Sequence, residues 1–559
     1  MKLKLTLLFT VAFFLMVACE PEEGADKILL NGTIITMDEN QPEAEAIAIR
    51  DNRILAVGDE ATVSGYETEN TEVIDLNGQF ATPGLMEGHG HFTGIGNAGL
   101  QLDLLNVGSW QEIVDMVEEA VEEAEDGELI RGRGWHQDDW DTAPQRQIGD
   151  LPHHEKLSAV SPDNPVVLTH ASGHMSFANE YAINMAGVDA DSPDPDGGEI
   201  VKDEQGNPAG PFRQTAQGLL SDVNDLWDPD FDEVVEKATL EAASNGITTV
   251  QDAGTSMDDI ERLTELAGNA EIDVRLWVMA RDNNENLSDG LPHFAGEIEN
   301  NPYFTVGGIK KAIDGALGTH GAWKLEPYED NPESTGFNTT PLDEIIEAGE
   351  LALEHDLQLG VHAIGDRGNR ETLDIYEDLF NEHGVADEDL RWRIEHAQHL
   401  HPDDIPRFEE LDVVASMQAV HATSDGPWVL RRLGEERAEE GAYVWRTLLD
   451  QGTVIVNGTD APVERINPLA SLHASITREM DDGEYFFPEQ TKTREEALRS
   501  YTLDAAYAIF MEDELGSLTE GKLADITVFD QNLMEVSEDE FKDAEVTYTI
   551  VGGDVIYRR

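Results

Sequence analysis

MEGHGHF, residues 86–92, sets two imidazoles, His89 and His91, two positions apart with little bulk around them. In a β-strand, residues i and i+2 leave the same face. Both rings then point one way, and Gly88 and Gly90 let the backbone and any ligand come close. Two neutral imidazoles on one side are the start of a metal site. In a chain with 17 histidines the pair alone also fits coincidence or a polar strand edge. Its meaning depends on what the rest of the chain brings beside it.

Outward from this stretch, short apolar runs alternate with amphipathic ones. After the approach to His89 come GITTVQDAG (246–254), DVRLWVMA (273–280), FTVGGIKKAIDG (304–315) and LQLGVHAIGD (357–366). RWRIEHAQ (391–398), DVVASMQA (412–419) and TVIVNGTDAP (453–462) complete the set. Helical stretches such as LDEIIEAGELALEHD separate several of them. Eight strands with intervening helices predict an α/β fold, a TIM (β/α)8 barrel over 85–510 with its chemistry at the C-terminal strand ends. The segment from about 100 to 245 is far longer than one βα connection needs and reads as an insertion that helps form the substrate site. The β-rich ends, 27–84 and 511–559, carry turn signals between short strands and predict one small composite β-sandwich domain.

The polar residues recur where such a barrel carries a site. His89 and His91 end the first strand, Lys310 lies on the fourth, His362 ends the fifth, His396 the sixth and Asp460 the eighth. Strand interiors are otherwise apolar, and charged groups are rarely buried without partners. Histidines repeated at strand ends and joined by an aspartate make a convergent metal constellation. Non-metal chemistry fares poorly, because no G-x-S-x-G elbow is present and the single cysteine, Cys19, lies at the N-terminus.

Five segments in order, PGLMEGHGHF, IKKAIDGALGTHGA, VHAIGDRGN, RIEHAQ and NGTDAPV, resemble the metal-dependent amidohydrolase superfamily, within it the amidohydrolase-3 branch of YtcJ-type proteins. The resemblance covers nearly all of the mature chain. It implies that His89 and His91 bind one divalent ion, that His362 and His396 bind a second, and that Asp460 sits on the first while handling protons. Lys310 matches the family's lysine that CO2 can carboxylate to bridge two metals, although the neighbouring Lys311 and the variability of this bridge among relatives leave a buried structural lysine paired to an acid as the alternative, and one ion or two stays open. The implied chemistry is hydrolysis of a non-peptide C–N bond: metal lowers the pKa of water and polarises a carbonyl, while Asp460 takes the proton and passes it to the leaving amine. A mixed imidazole–carboxylate shell suits zinc, with manganese or iron as alternatives.

The expected substrate is a small N-acyl or N-formyl amine. Rival readings are a cyclic amide, carbamate or ester on the same barrel, and a lipoprotein that captures a ligand without turnover. His174 in the insertion, His320 and Trp323 past the fourth strand, and His421 past the seventh are expected to line the substrate pocket. Asp252, Asp314 and Asp366 follow strands directly and are candidates to orient ligands.

The charge is the unusual quantity. Asp and Glu number 115 against 36 Lys and Arg, a net of −79, and the acids are spread along the whole chain. Such a surface repels nucleic acid and anionic lipid, which excludes both as partners. Self-repulsion on this scale is relieved in strong salt, where the Debye length falls to about 3 Å at 1 M, and it resembles the acidic surfaces of halophilic proteins. At the N-terminus, Lys2 and Lys4 precede the apolar run LTLLFTVAFFLMVA and then Cys19. The run is too short to span a bilayer comfortably but suits a signal peptide. MVAC resembles a bacterial lipobox in which Cys19 is lipidated, so residues 1–19 are expected to be a signal, 20–26 a linker, and the mature chain exported and membrane-bound only through a lipid anchor. With no second cysteine, an intramolecular disulfide is impossible. A homodimer is the default oligomeric expectation.

Overall fold

The computed structural model describes residues 24–105, 107–137, 140–149, 151–170, 175–195, 198–294 and 301–559. The apolar N-terminal run, Cys19 and His174 lie outside these residues.

Eight strands form one sheet: β1 (Leu85–Gly90), β2 (Ile247–Thr255), β3 (Arg275–Ala280), β4 (Phe304–Ala312), β5 (Gln358–Ala363), β6 (Arg393–His396), β7 (Val414–Gln418) and β8 (Ile455–Gly458). Spatial order follows chain order and every pairing is parallel. Just past the strands, β8 and β1 meet. The Asp460 amide donates to the His89 carbonyl at 2.8 Å, and the His91 amide donates to the Ala461 carbonyl at 2.8 Å. The sheet is thus a nearly closed, TIM-like barrel. Its strands are buried almost throughout, which is why they read as continuous apolar runs without alternation.

Helices cover the outside. Leu342–Glu354, between β4 and β5, buries Ile345, Ala348, Gly349 and Ala352, one stripe at helical spacing. Asp366–His383 follows β5 and ends at Gly384, whose φ of 72° provides the left-handed cap.

Between β1 and β2 the chain builds a separate six-stranded sheet. Its order is Gly198–Lys202, Pro208–Gln214, Met175–Ala178, Val166–His170, Ile130–Trp135 and Leu102–Asp103. A cluster including Trp110, Trp135 and Phe177 packs against it, and the Trp135 indole N–H donates to the Leu168 carbonyl at 3.1 Å.

The two ends of the chain share a further sheet. Phe80–Pro83 pairs in parallel with Thr33–Ile35 and antiparallel with Ile526–Phe529, which continues to Val546–Val551 and Asp554–Arg558. A four-stranded sheet from residues 27–75 packs nearby through Leu29, Ile47, Ile526 and Ile550. At the N-terminal end of the barrel, Arg275 of β3 meets Asp525 through two hydrogen bonds of 2.7 and 2.9 Å, both side chains buried. No helix among the described residues is long and apolar enough to cross a membrane.

Candidate metal centre

The C-terminal ends of the strands gather imidazoles and carboxylates. His89 lies in β1 and is buried, whereas His91 stands one residue past that strand as the N-cap of the helix Phe92–Gly99. His362 lies near the end of β5 and His396 closes β6. Asp460 sits two residues beyond β8, in a turn shorter than the strand expected there. His396 and Asp460 hold φ values of 77° and 59°, a left-handed backbone that side chains rarely adopt and that clusters at functional sites.

Donor atoms of His89, His396 and Asp460 all lie within 4.8 Å of one another. His91 Nε2 is 3.1 Å and His89 Nε2 3.5 Å from Asp460 Oδ1. The His362 ring adjoins that of His396, with centroids 4.4 Å apart. His89 Nε2, His362 Nε2 and Asp460 Oδ1 are buried without a hydrogen-bond partner. Buried polar atoms are normally satisfied, so the unpartnered His89 Nε2 and Asp460 Oδ1 within one donor group, with an unpartnered His362 Nε2 on the ring beside His396, point to a ligand. Imidazole nitrogens and a carboxylate oxygen form a donor set that suits a divalent cation.

Their partners aim these donors. His89 Nδ1 is hydrogen-bonded to Glu395 Oε2, and Glu395 Oε1 accepts from Arg393 Nε at 2.8 Å. His396 Nδ1 lies 2.7 Å from Gln418 Oε1. Each contact occupies Nδ1 and leaves Nε2 for a metal, the usual outer arrangement around metal-binding histidine. The sequence reading assigned no role to Glu395 or Arg393. Both stand in the buried strand segment RIEH, and a buried acid beside a histidine was the signal available.

Electrostatics keeps the donors in ligand form. Burial, reinforced by the Lys310 charge, pulls His89 down to about 4 and His362 to about 3. His396 is held well below the usual range by burial and by the neighbouring His362 and His89. Burial alone would raise the carboxyls of Asp460 and Glu395. Instead His89 and His91 hold Asp460 well below its ordinary value, and Arg393 and His89 do so for Glu395. The imidazoles of His89, His362 and His396 are neutral and the carboxylates of Asp460 and Glu395 ionised near neutrality.

Lys310 is buried on β4, donates from Nζ to the Ala253 carbonyl at 3.2 Å, and is lowered by burial to about 8. Lys311 turns the other way and donates to the Asp282 carbonyl at 2.8 Å.

The remaining candidates divide. His421 comes close to the centre: its ring stacks 6.3 Å from that of His396, and its Nδ1 lies 3.2 Å from Gln398 Nε2. His320 instead pairs with Asp330 at 3.0 Å, and Trp323 lies beneath the Arg367 guanidinium. Asp314 accepts from the amides of Trp323, Ile364 and Gly365 at 2.8–2.9 Å and stands 3.7 Å from His362 Nε2. Asp252 accepts from the amides of Phe92 and Gly254, fixing the segment that follows His91. Asp366 pairs with Lys324 at 3.1 Å.

Gly88 of the opening stretch has a different reason from the expected one. A Cβ on Gly88 would stand 2.2 Å from Val456 Cγ1 and 2.5 Å from the Asn457 carbonyl oxygen. One on the facing Gly458 would lie 2.6 Å from the His89 amide nitrogen. Gly88 lets β1 approach β8 and close the barrel; the close neighbour is backbone, not ligand.

Residues 72–557 match the model of the Amidohydrolase family. This chain belongs to that family. Among relatives of this amidohydrolase, the Protein LONG AFTER FAR-RED 3 of Arabidopsis thaliana is 34% identical, over 95% of this chain and 92% of its own. An N-substituted formamide deformylase of Arthrobacter pascens is 26% identical, over 96% and 98%. A solved structure, an uncharacterized metal-dependent hydrolase from Pyrococcus furiosus, superposes with a TM-score of 0.73 at 29% identity and covers 91% of this chain and all of its own. Family membership and the donor set together make this amidohydrolase a hydrolase that uses divalent metal.

Proposed function

We propose that the protein hydrolyses a non-peptide C–N bond of a small N-acyl or N-formyl amine. The observation that carries the reading is the convergence of buried donor atoms of His89, His396 and Asp460 at the C-terminal end of the barrel, with His89 Nε2 and Asp460 Oδ1 unpartnered. The formamide deformylase relative supports an amide as the substrate. His89 and His91 hold one ion with Asp460, and His362 and His396 hold a second, zinc being the metal that this donor set suits best. Lys310, buried and with an amine lowered to about 8, is the residue available for carboxylation as a bridge.

A divalent cation bound there supplies a water of lowered pKa and polarises the scissile carbonyl. The chain's own residues do the rest. Glu395 and Gln418 fix the His89 and His396 rings by their Nδ1 atoms. Asp460, ionised, accepts a proton from the attacking water and returns it to the leaving amine. His421, beside His396, lines the substrate side. His320 and Trp323 belong to the loop after β4 and bound the pocket through its shape, and His174 is proposed to line it from the insertion.

Residues 27–84 and 511–559 are proposed to act as one β-domain beside the barrel. The proposal also includes export, with a lipid on Cys19 supported by the lipobox-like MVAC, and adaptation to brine, supported by the net charge of −79. The melting temperature then rises with NaCl to molar levels; a flat or falling curve would contradict brine adaptation. The function is tested on protein purified in high salt, stripped of metal, reloaded and assayed on a panel of small amides. Metal-dependent turnover of formamides or acetamides is expected. Stoichiometric metal with no turnover on any amide would overturn the reading.

A further inference from the structure

Beside Asp460 opens a cavity of 290 Å³. One wall comes from Ile95, on the helix directly after His91, and another from Val463 and Ile466, directly after Asp460. Leu102 and Leu105 of the insertion close the third side together with Arg133. The two segments leaving the metal strands therefore continue into a pocket with apolar walls and two guanidiniums, Arg133 and Arg465. Its volume is near the lower end of small-molecule sites, which run from about 300 to 1,000 Å³.

Arg133 is placed there by a local irregularity. The pairing of Ile130–Trp135 with Val166–His170 shifts register between Arg133 and Trp135. Gly134 sits at the shift with a φ of 109°, a conformation that glycine supplies. Such a bulge re-aims a side chain. Among the described residues the Arg133 guanidinium has no hydrogen-bond or ion-pair partner, although it is partly buried and feels the charge of Asp460. The acids in the wall leave it unpaired as well: Asp103 is taken by Arg465 at 2.8 Å, and neither Glu241 nor Glu464 reaches it.

The buried arginines Arg275, Arg391 and Arg393 each have a carboxylate partner, whereas buried Arg478 donates to the Phe486 and Tyr443 carbonyls and Arg131, on the same strand as Arg133, lies over the Trp227 ring. With 115 acids available, an unpaired arginine is not explained by a shortage of partners. A second one stands across the centre. The Arg281 stem lies over Gly254, its Cδ 2.7 Å from where a Cβ there would be, one residue beyond the Ala253 carbonyl that accepts from Lys310. Arg281 also has no polar partner among the described residues. Arg281 is exposed, whereas Arg133 is partly buried.

We infer that Arg133 determines specificity by seating the carboxylate of an anionic small amide, whose apolar part packs against Ile95, Leu102, Leu105 and Val463. A guanidinium receives a carboxylate with two parallel hydrogen bonds, and a ligand anion here satisfies a cation that the fold leaves unmatched. Arg281 adds to the field without touching the seat. The inference rests on the amide-hydrolase reading above and names its substrate class.

The test uses metal-loaded protein and matched N-formyl amines that end either in a carboxylate or in a methyl group. The wild type is expected to favour the carboxylate member by about tenfold or more in KM, the range of a charged hydrogen bond. In Arg133→Met this preference collapses, and Arg133→Lys restores part of it. Calorimetric binding of the same pair to Asp460→Asn, compared with Asp460→Asn/Arg133→Met, reads the seat without turnover. Wild-type turnover with no preference, or equal losses on both members in Arg133→Met, overturns the inference while the amide reading stands. Preferential carboxylate binding lost with Arg133 but no turnover of any amide keeps the seat and overturns the amide reading.

Discussion

The two ends of the barrel follow opposite rules. At the N-terminal end, Arg275 meets Asp525 through two hydrogen bonds, and Arg391 meets Glu512 at 2.8 and 3.0 Å. At the C-terminal end, donors of His89, His396 and Asp460 lie within 4.8 Å of one another, and His89 Nε2, His362 Nε2 and Asp460 Oδ1 are buried without hydrogen-bond partners. One end spends its charged groups on holding the terminal segments to the barrel. The other keeps them unsatisfied, at a cost in stability that a bound cation offsets. Where a fold leaves buried groups unmatched, function is the first place to look for the reason.

Mutations at the two ends should therefore fail in different ways. The largest effect is expected for Asp460→Asn, which keeps a ligand oxygen but loses the proton carrier. Its kcat should fall on the order of 10²–10⁴-fold with the melting temperature nearly unchanged; a near-normal rate would break the assignment. Asp525→Ala leaves Arg275 buried and unpaired and should cost about 3–5 kcal/mol of folding stability in denaturant melts, with metal content per folded chain unchanged. Metal loss in that variant would erase the contrast between the ends. Glu395→Gln weakens the hold on His89 and is expected to reduce metal affinity by about 10–100-fold, measured by competition with a chelator. Lys310→Ala sharpens the count of ions. Activity and one metal should fall together, with partial rescue by short carboxylic acids, whereas activity lost at full occupancy would make Lys310 structural.

The last contrast is with pH. His89 and His362 titrate at about 4 and about 3 in the folded chain, against an ordinary value of 6.5. Between those values the unfolded chain binds protons that the folded one does not. Stability of the metal-free protein is therefore full above about pH 6.5 and falls as the pH drops toward 4. Denaturant midpoints that stay flat over this interval would contradict the burial of neutral imidazoles.

Much of this was legible in the sequence because the barrel strands are buried on both sides and read as apolar runs bounded by polar residues. His89, His362, His396 and Asp460 could be found because they interrupt those runs at the strand ends. The outer contacts were less visible. Glu395 and Arg393 are neighbours in chain order, yet their partners His89 and Gly88 lie about 300 residues away, a proximity that only barrel closure creates. The glycines of GHGH suggested room for a ligand, but Gly88 serves the β1–β8 approach, since a Cβ is excluded there by β8. The place of His320 and Trp323 after β4 was legible, but not their contacts with Asp330 and Arg367. Loop side chains are set by neighbours that strand periodicity does not reveal.

The central claim is that the unsatisfied end of the barrel is a metal centre. Metal content per chain, measured by mass spectrometry on protein purified in high salt, tests it most directly when the wild type is compared with a folded His89→Ala/His396→Ala variant. The account predicts one or two divalent ions per wild-type chain and a loss of metal in the variant. A wild type that takes up no ion, or a variant that retains full occupancy, would contradict it.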